Sequence, residues 1–372
     1  MSAAHPLFQF LMMPFHVSST YFRKLISSGG SGRGSAGFFR GALATHSSLA
    51  TLASSIEWCR QCATSTRELV RNYRGFMSNQ QPKRHHTVPQ FMLREIAAED
   101  GTLFAYDRRT PDRGVFSERF QKLFVEKHFY SYELEDGRKD PRPEQFLSEL
   151  ESNAAPVFKR VIHAARQGRL EDLSSQDRGA MTSFMYFQWK RSPDTISTRM
   201  LDAFDTEIDQ GLERFEREHR PITQAERASF ASPDFRQRMR RNARVGATVG
   251  AGGEALQAIA KTGLHVVRIA HARKSFAIGS RPVAKLTLPG DTVIGSPNVE
   301  FWMPIAFDVA LVWCGPSVYR LVQCVDAALI RNTNLSIARQ STVVAARAAA
   351  LVKSLIMHEP VIQPVSKLPD GI

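Results

Sequence analysis

Residues 83–96, Lys-Arg-His-His-Thr-Val-Pro-Gln-Phe-Met-Leu-Arg-Glu-Ile, leave the backbone few options. Pro89 presets a helical φ at its own position and forces Val88 into an extended conformation, so the chain runs straight up to Pro89 and begins a helix near Gln90. His85 and His86 therefore sit on a short, stiff lead-in. Phe91, Met92, Leu93 and Ile96 form a short apolar stripe at helical spacing that docks the segment on a core. Adjacent side chains on an extended segment point to opposite sides, so only one imidazole can easily serve a given site.

Beyond this segment, Asp100-Gly101 marks a turn, Thr102–Asp107 alternate as a strand, and Pro111 to Gly114 mark another turn before Val115 and Phe116. The pattern predicts a hairpin. Apolar residues from Phe146 to Ala165 recur at steps of three and four, which gives an amphipathic helix over 144–168, with Pro156 predicting a kink or two abutting helices. A second helix runs from a Ser174/Ser175 cap through Met181, Phe184, Met185 and Trp189 to a stop before Pro193. Residues 194–245 read as charged and helical, and the run VGATVGAGG (245–253) reads as a linker. Strand candidates follow at 275–279, 283–288, 299–303 and 308–314, then a final Ala-rich helix near 336–357. The class is α+β, with a largely helical N-terminal and middle part over 77–245 that includes a short hairpin. A C-terminal part over 254–372 carries antiparallel strands and a final helix.

Charge divides unevenly along the chain. The net charge is +13, but residues 1–77 hold eight basic residues against Glu57 and Glu68, so the remainder carries +7. This balance favours polyanions and makes nucleic acid the partner to expect, at a discount for the part of the excess near the start. Residues 1–56 contain no Asp or Glu and are rich in Ser, Gly and Ala. That composition fits a leader, or an over-extended reading frame ahead of a natural start at Met77, so 1–76 is expected to be a non-native extension or disordered leader. Four cysteines are too few for a disulfide framework, and no apolar run reaches the roughly 18 residues of a membrane helix. A soluble cytoplasmic protein is the expectation.

The residues that could carry chemistry start with the His pair. One imidazole acting as general base, with Arg84 and Arg191 stabilising a developing anion, is coherent because imidazole titrates near neutral pH. A metal site would need more ligands, and His128, Asp107, Glu149 and Glu151 stand at no recognised spacing, so no metal and no cofactor is assigned. Glu149 and Glu151 diverge by roughly 200° on a helix and read as solvated charges. The cluster 236–244, with Arg236, Arg240 and Arg241, could track phosphates, yet only Phe235 accompanies it, so the stacking pattern of single-strand binders is missing. The Gly run 246–253 lacks the Gly-Lys-Ser/Thr closure of a phosphate loop. Cys59 and Cys62 have CxxC spacing, and Trp313-Cys314-Gly315-Pro316-Ser317 is similar to a thioredoxin active site with Ser in place of the resolving Cys, but no βαβ unit precedes it. Ser280 lacks a nucleophile context and reads as a turn.

RHHTVPQFMLREIA followed by DGTLFAYDR (100–108) resembles the opening of the family known as domain of unknown function 4238, and the likeness continues through EKHFYSYE, FLSELESNAAPVFKRVI, KRSP and SFAIGSRPV. The resemblance implies a shared fold and no activity. Where the family tends to show Ser-Asp-x-Pro, this chain has Gly279, Ser280, Arg281 and Pro282. Two functions stand as expectations. One is a hydrolase of phosphodiesters, nuclease-like, using His85 or His86 with Arg84 and Arg191. The other is a non-catalytic binding module in which the His pair is structural.

Overall fold

Pro89 does what its chemistry requires. In the computed structural model, which describes residues 84–358 apart from 135, 196–197, 251, 288–292 and 325, strand β1 (Arg84–His86) runs extended into helix α1 (Gln90–Ile96), with Pro89 at its N-cap. The expectations for residues 1–76, including Cys59 and Cys62, fall outside the described residues. The hairpin is formed by β2 (Thr102–Asp107) and β3 (Phe116–Arg119), and after it comes β4 (Val125–Lys127), which pairs antiparallel with β1 so that His85 faces Glu126. Short strands β5 (Tyr132–Glu133) and β6 (Lys139–Asp140) lead into the helices.

Helix α2 (Arg142–Arg166) continues unbroken past Pro156, so of the kink or two abutting helices expected there, the two abutting helices are corrected. Helix α3 (Ser175–Arg191) begins with a capping box in which Ser174 and Asp177 satisfy each other's backbone N–H, so the Ser174 cap is where the sequence put it. The charged middle divides into α4 (Thr198–Glu218), α5 (Gln224–Ala231) and α6 (Pro233–Val249), with Thr223 and Ser232 as N-caps of the last two. These helices share an apolar cluster of their own that includes Ile208, Phe215, Phe230 and Phe235. The expected linker at 245–253 is corrected: α6 runs on to Val249, and α7 (Gly253–Ala260) starts almost at once. Glycine is needed at 252 because a Cβ there would collide with Tyr186 Oη, which accepts the Gly252 N–H at 3.0 Å.

The C-terminal part is built on β7 (Gly263–Ile269), β8 (Ile278–Gly279), β9 (Ala284–Thr287), β10 (Val299–Pro304), β11 (Val309–Cys314) and β12 (Tyr319–Cys324). The expected final helix is two, α8 (Ala327–Arg339) and α9 (Ala349–Met357), separated by strand β13 (Val343–Ala346). One sheet has the order β12-β7-β11-β10-β9, antiparallel except for the parallel β12–β7 pair. A four-stranded sheet has the order β3-β2-β13-β8, so β13 inserts beside the hairpin more than two hundred residues earlier in the chain, and β1-β4 and β5-β6 form two-stranded sheets.

Both faces of the larger sheet are covered, which is why its strands read as continuous apolar runs. Val309, Leu311 and Trp313 of β11 enter the main core, while Ala310 and Val312 enter a second cluster with Trp302 and Ile330. Helices α2 and α3 pack on the main core, where Phe91, Phe158 and Phe184 meet with ring centroids 5.1–5.7 Å apart. Burying such rings stabilises by about 2–3 kcal/mol each. The same core contains Met92 and Leu93 of α1, so the His-bearing strand is fixed relative to α2 and α3.

Candidate active site

Strand β1 presents its two imidazoles to opposite sides, and the sides differ. His85 is fully buried, whereas His86 is half-buried at the surface, with Nε2 2.8 Å from Gln90 Nε2 one helical turn on. His85 Nδ1 accepts the main-chain N–H of Tyr130 at 3.0 Å, and the Tyr130 ring stacks parallel to the imidazole at 5.9 Å. An Nδ1 that accepts leaves the ring proton of neutral His85 on Nε2. His128 meets the same ring edge-on at 6.2 Å.

Two strained residues frame this place. Phe124 and His128 are the non-glycine residues with positive φ among those described, at 55° and 50°, and they stand immediately before and after β4, the partner of β1. A left-handed backbone costs a bulky residue roughly 1–2 kcal/mol, so the surrounding contacts must hold it. Thr87 does so at Phe124, whose carbonyl accepts both its N–H at 2.8 Å and its hydroxyl at 3.2 Å.

The first turn of α2 brings Glu144 against the imidazole. Its Oε2 lies 3.5 Å from His85 Nδ1, is buried, and has no hydrogen-bond partner. A carboxylate oxygen facing a ring nitrogen whose lone pair already accepts the Tyr130 N–H is repulsive, which disfavours the ionised form of Glu144. Burial, reinforced by the charge of Glu151 and opposed by that of Arg191, pushes the Glu144 carboxyl up to about 7. Two turns further along α2, Glu151 forms an ion pair with Arg191 at 2.7 Å. Glu151 is thus not the solvated charge its sequence position suggested.

Arg191, at the end of α3, is 3% exposed. Burial opposes its charge, but Glu151, Tyr130 and Glu144 outweigh that and hold its pKa above the ordinary arginine value. It lies over the Tyr130 ring at 5.6 Å, its carbonyl accepts the Tyr130 hydroxyl at 3.0 Å, and its Nε–H is buried with no acceptor. Burial raises the Tyr130 pKa, so this hydroxyl stays protonated and donating. Arg244 of α6 completes the surround, donating to the Phe129 carbonyl at 3.1 Å while its Nε–H also lacks an acceptor. The cluster of His85, Tyr130, Glu144, Glu151 and Arg191 therefore holds one neutral imidazole and one carboxyl poised to gain or lose a proton near pH 7.

The other expected residues are placed elsewhere. Arg84 lies on β1 opposite Lys127, and its side chain falls outside the described residues. Arg236, Arg240 and Arg241 are half-buried on α6, where Arg236 is bonded to Asp209 and the Phe230 carbonyl and Arg241 is paired with Glu133. Asp107 is bound by Arg109. No group of three or more His, Cys, Asp or Glu side chains among the described residues could hold a metal ion. Cys314 ends β11, and burial together with Glu300 pushes its thiol up to about 11, the opposite of an activated thiolate. Ser280 is a joint between segments: its hydroxyl donates to Asp194, which also accepts the N–H and hydroxyl of Thr342, and it accepts the Val343 N–H at 3.0 Å. Sequence reasoning missed Glu144 and Tyr130. The available signal was that Glu144 opens the same helix that carries Glu151 two turns later.

A family model described as "Protein of unknown function (DUF4238)" matches residues 84–348. No curated protein and no solved structure matches the chain significantly. No helix among the described residues is long and apolar enough to cross a membrane.

Proposed function

The chain belongs to the DUF4238 family of proteins of unknown function, and from that premise we propose that it is a phosphodiester-directed hydrolase with Glu144 as its acid–base residue. The observation that carries this is the buried, unbonded Glu144 Oε2, 3.5 Å from His85 Nδ1, on a carboxyl pushed up to about 7. A group with its pKa near working pH can both take a proton from attacking water and return one to a leaving alkoxide. Proteins seldom leave such a group buried without a partner unless it has work to do. His85 acts here as a positioning residue, because its ring is fully buried and its Nδ1 is held by the Tyr130 N–H. Arg191 and Arg244 supply the field for a phosphate, since each keeps a buried Nε–H without an acceptor. Nucleic acid is the phosphodiester that the net charge of +7 on the chain after residue 77 favours.

One observation favours the other reading, a binding module with a structural His pair: His85 accepts a main-chain N–H and has no exposed surface. Hydrolysis of bis(p-nitrophenyl) phosphate and of fluorescent single-stranded oligonucleotides, across pH 5–8 with and without divalent cations, separates the two. The hydrolase reading expects turnover that falls by about 10²–10⁴-fold in Glu144→Gln with the fold intact. Absence of turnover, or equal turnover in the variant, leaves the module.

A further inference from the structure

A groove of about 660 Å³ lies at the far end of α1 from the His pair, between the turn that precedes β2, the end of β3 and the segments before β11 and α9. Four arginines line it: Arg94, Arg119, Arg166 and Arg347. Its acidic residues are largely engaged. Glu95 and Asp308 are bonded by Arg166 at 3.2 and 2.9 Å, and the two Asp100 oxygens accept the N–H and hydroxyl of Thr102 at 2.9 and 2.8 Å. Glu99 is exposed at the rim.

Among the described residues Arg94 and Arg347 form no ion pair, while Arg119 lies beside the Asp100-Gly101 turn, where its charge adds to the Thr102 hydrogen bonds in holding the Asp100 carboxyl below its ordinary value. Arg347 lies 4.0 Å from the centroid of Phe307, which also carries Arg166 at 5.3 Å, and Arg94 lies over Phe120 at 5.8 Å. A guanidinium stacked on a ring keeps its in-plane N–H donors for a planar or tetrahedral anion, and the ring fixes its orientation in advance. Arg347 also stands two residues before α9, a helix whose N-terminus has no side-chain cap, and the helix dipole adds positive potential at that end. The groove's volume falls within the range of small-ligand sites, about 300–1,000 Å³.

We propose that this groove binds a phosphate-bearing small molecule of nucleotide size, with Arg347 as the principal anchor and Arg119 and Arg94 as further phosphate partners. The binding rests on none of the residues around Glu144. Titration calorimetry of the full chain with sodium pyrophosphate, ADP and adenosine at about 50 mM salt tests it, and both phosphate probes should bind while adenosine should not. Arg347→Ala should weaken pyrophosphate binding by about tenfold or more and Arg347→Lys by less, because Lys keeps the charge but not the fork. Raising the salt to about 200 mM should weaken it further. Glu144→Gln and Arg227→Ala, the latter on α5, should bind like the parent chain, which separates failure of the groove from failure of the hydrolase reading. Should Arg347→Ala not fold, Arg119→Glu at its exposed position carries the same expectation. The proposal is overturned if neither phosphate probe binds the parent chain, if the Arg347 and Arg119 variants bind unchanged, or if Arg227→Ala weakens binding as much as they do.

Discussion

Replacing Glu144 with Gln keeps the shape of the side chain and removes its proton equilibrium, so the comparison isolates what burial does to this carboxyl. In the folded chain the group is held at about 7, against 4.5 for a solvated glutamate, with burial as the main cause and Glu151 and Arg191 acting in opposite directions. Between those two pH values the folded state binds more protons at this site than the unfolded state does. Stability contributed here is therefore full below about pH 4.5 and is lost as pH rises through about 7. A separation of about 2.5 pH units at about 1.4 kcal/mol each amounts to about 3.5 kcal/mol. The position of Glu144 in the first turn of α2 favours its carboxylate, but a helix N-terminus contributes only about 0.5 kcal/mol and does not reverse the sign. Urea unfolding of both proteins at pH 4.5, 5.5, 6.5, 7.5 and 8.5 gives the difference directly, because groups common to both cancel. The variant should gain on the parent chain from the lowest pH upward and level off at about 3.5 kcal/mol above pH 7.5. A difference that stays constant with pH, or that turns against the variant as pH rises, would refute the argument that this carboxyl is buried and protonated near neutrality.

The packing sets two further outcomes. Cys314 should alkylate with iodoacetamide at pH 7.5 far more slowly than a free thiol, because its own lies at about 11 and only a minute thiolate fraction is present; peptide mapping by mass spectrometry reads it apart from Cys59 and Cys62, and rapid labelling would contradict the burial argument. Gly279→Ala should lower stability by about 2 kcal/mol or more in chemical denaturation, because a Cβ would collide with the Ser341 side chain, approach its Cβ to 2.6 Å, and meet Ile337 at 3.2 Å; an unchanged midpoint would mean that this joint is looser than it looks.

Local chemistry made most of the elements legible. Pro89 fixed the β1–α1 corner, Asp100-Gly101 and Pro111–Gly114 fixed the hairpin, and Ser174 with Asp177 fixed the start of α3. Apart from Pro156, which the helix over 142–166 accommodates, the misreadings at 245–253 and 343–346 arise where a distant partner decides. Residues 343–346, Val-Val-Ala-Ala, lie between Ala-rich segments and pass for helix until β2 and β8 supply hydrogen-bonding edges on both sides. The run 245–253 passes for a linker because its glycines look permissive, yet Tyr186 and Lys190 of α3 bind the Gly252 N–H and the Gly250 carbonyl and hold the segment in place. Strand β7 went unread because both of its faces are buried, leaving no alternation to detect.

The site divides along the same line. The particular choice of residues at 84–89 made the stiff corner that carries His85 legible, since chain stiffness is a local property. Which ionisable groups would gather there is a matter of helix placement. Glu151 and Arg191 are forty residues apart, and nothing in either neighbourhood announces the other; they meet because α2 and α3 lie side by side on the core beneath Phe158 and Phe184. Glu144 is further from sequence inspection still. Its distinguishing property is an environment, with an imidazole nitrogen already occupied by Tyr130 N–H, a second carboxylate two turns along its helix, and an Oε2 shut off from solvent. The motif histidine thus shapes the site without being its exposed reagent. Substituting His85 should disturb the Glu144 proton equilibrium and the Tyr130 backbone together, whereas substituting Glu144 disturbs only the former. On the proposed hydrolase reading, Glu144→Gln removes activity while keeping or gaining stability, and substitution of His85, which holds the Tyr130 N–H, lowers thermal stability.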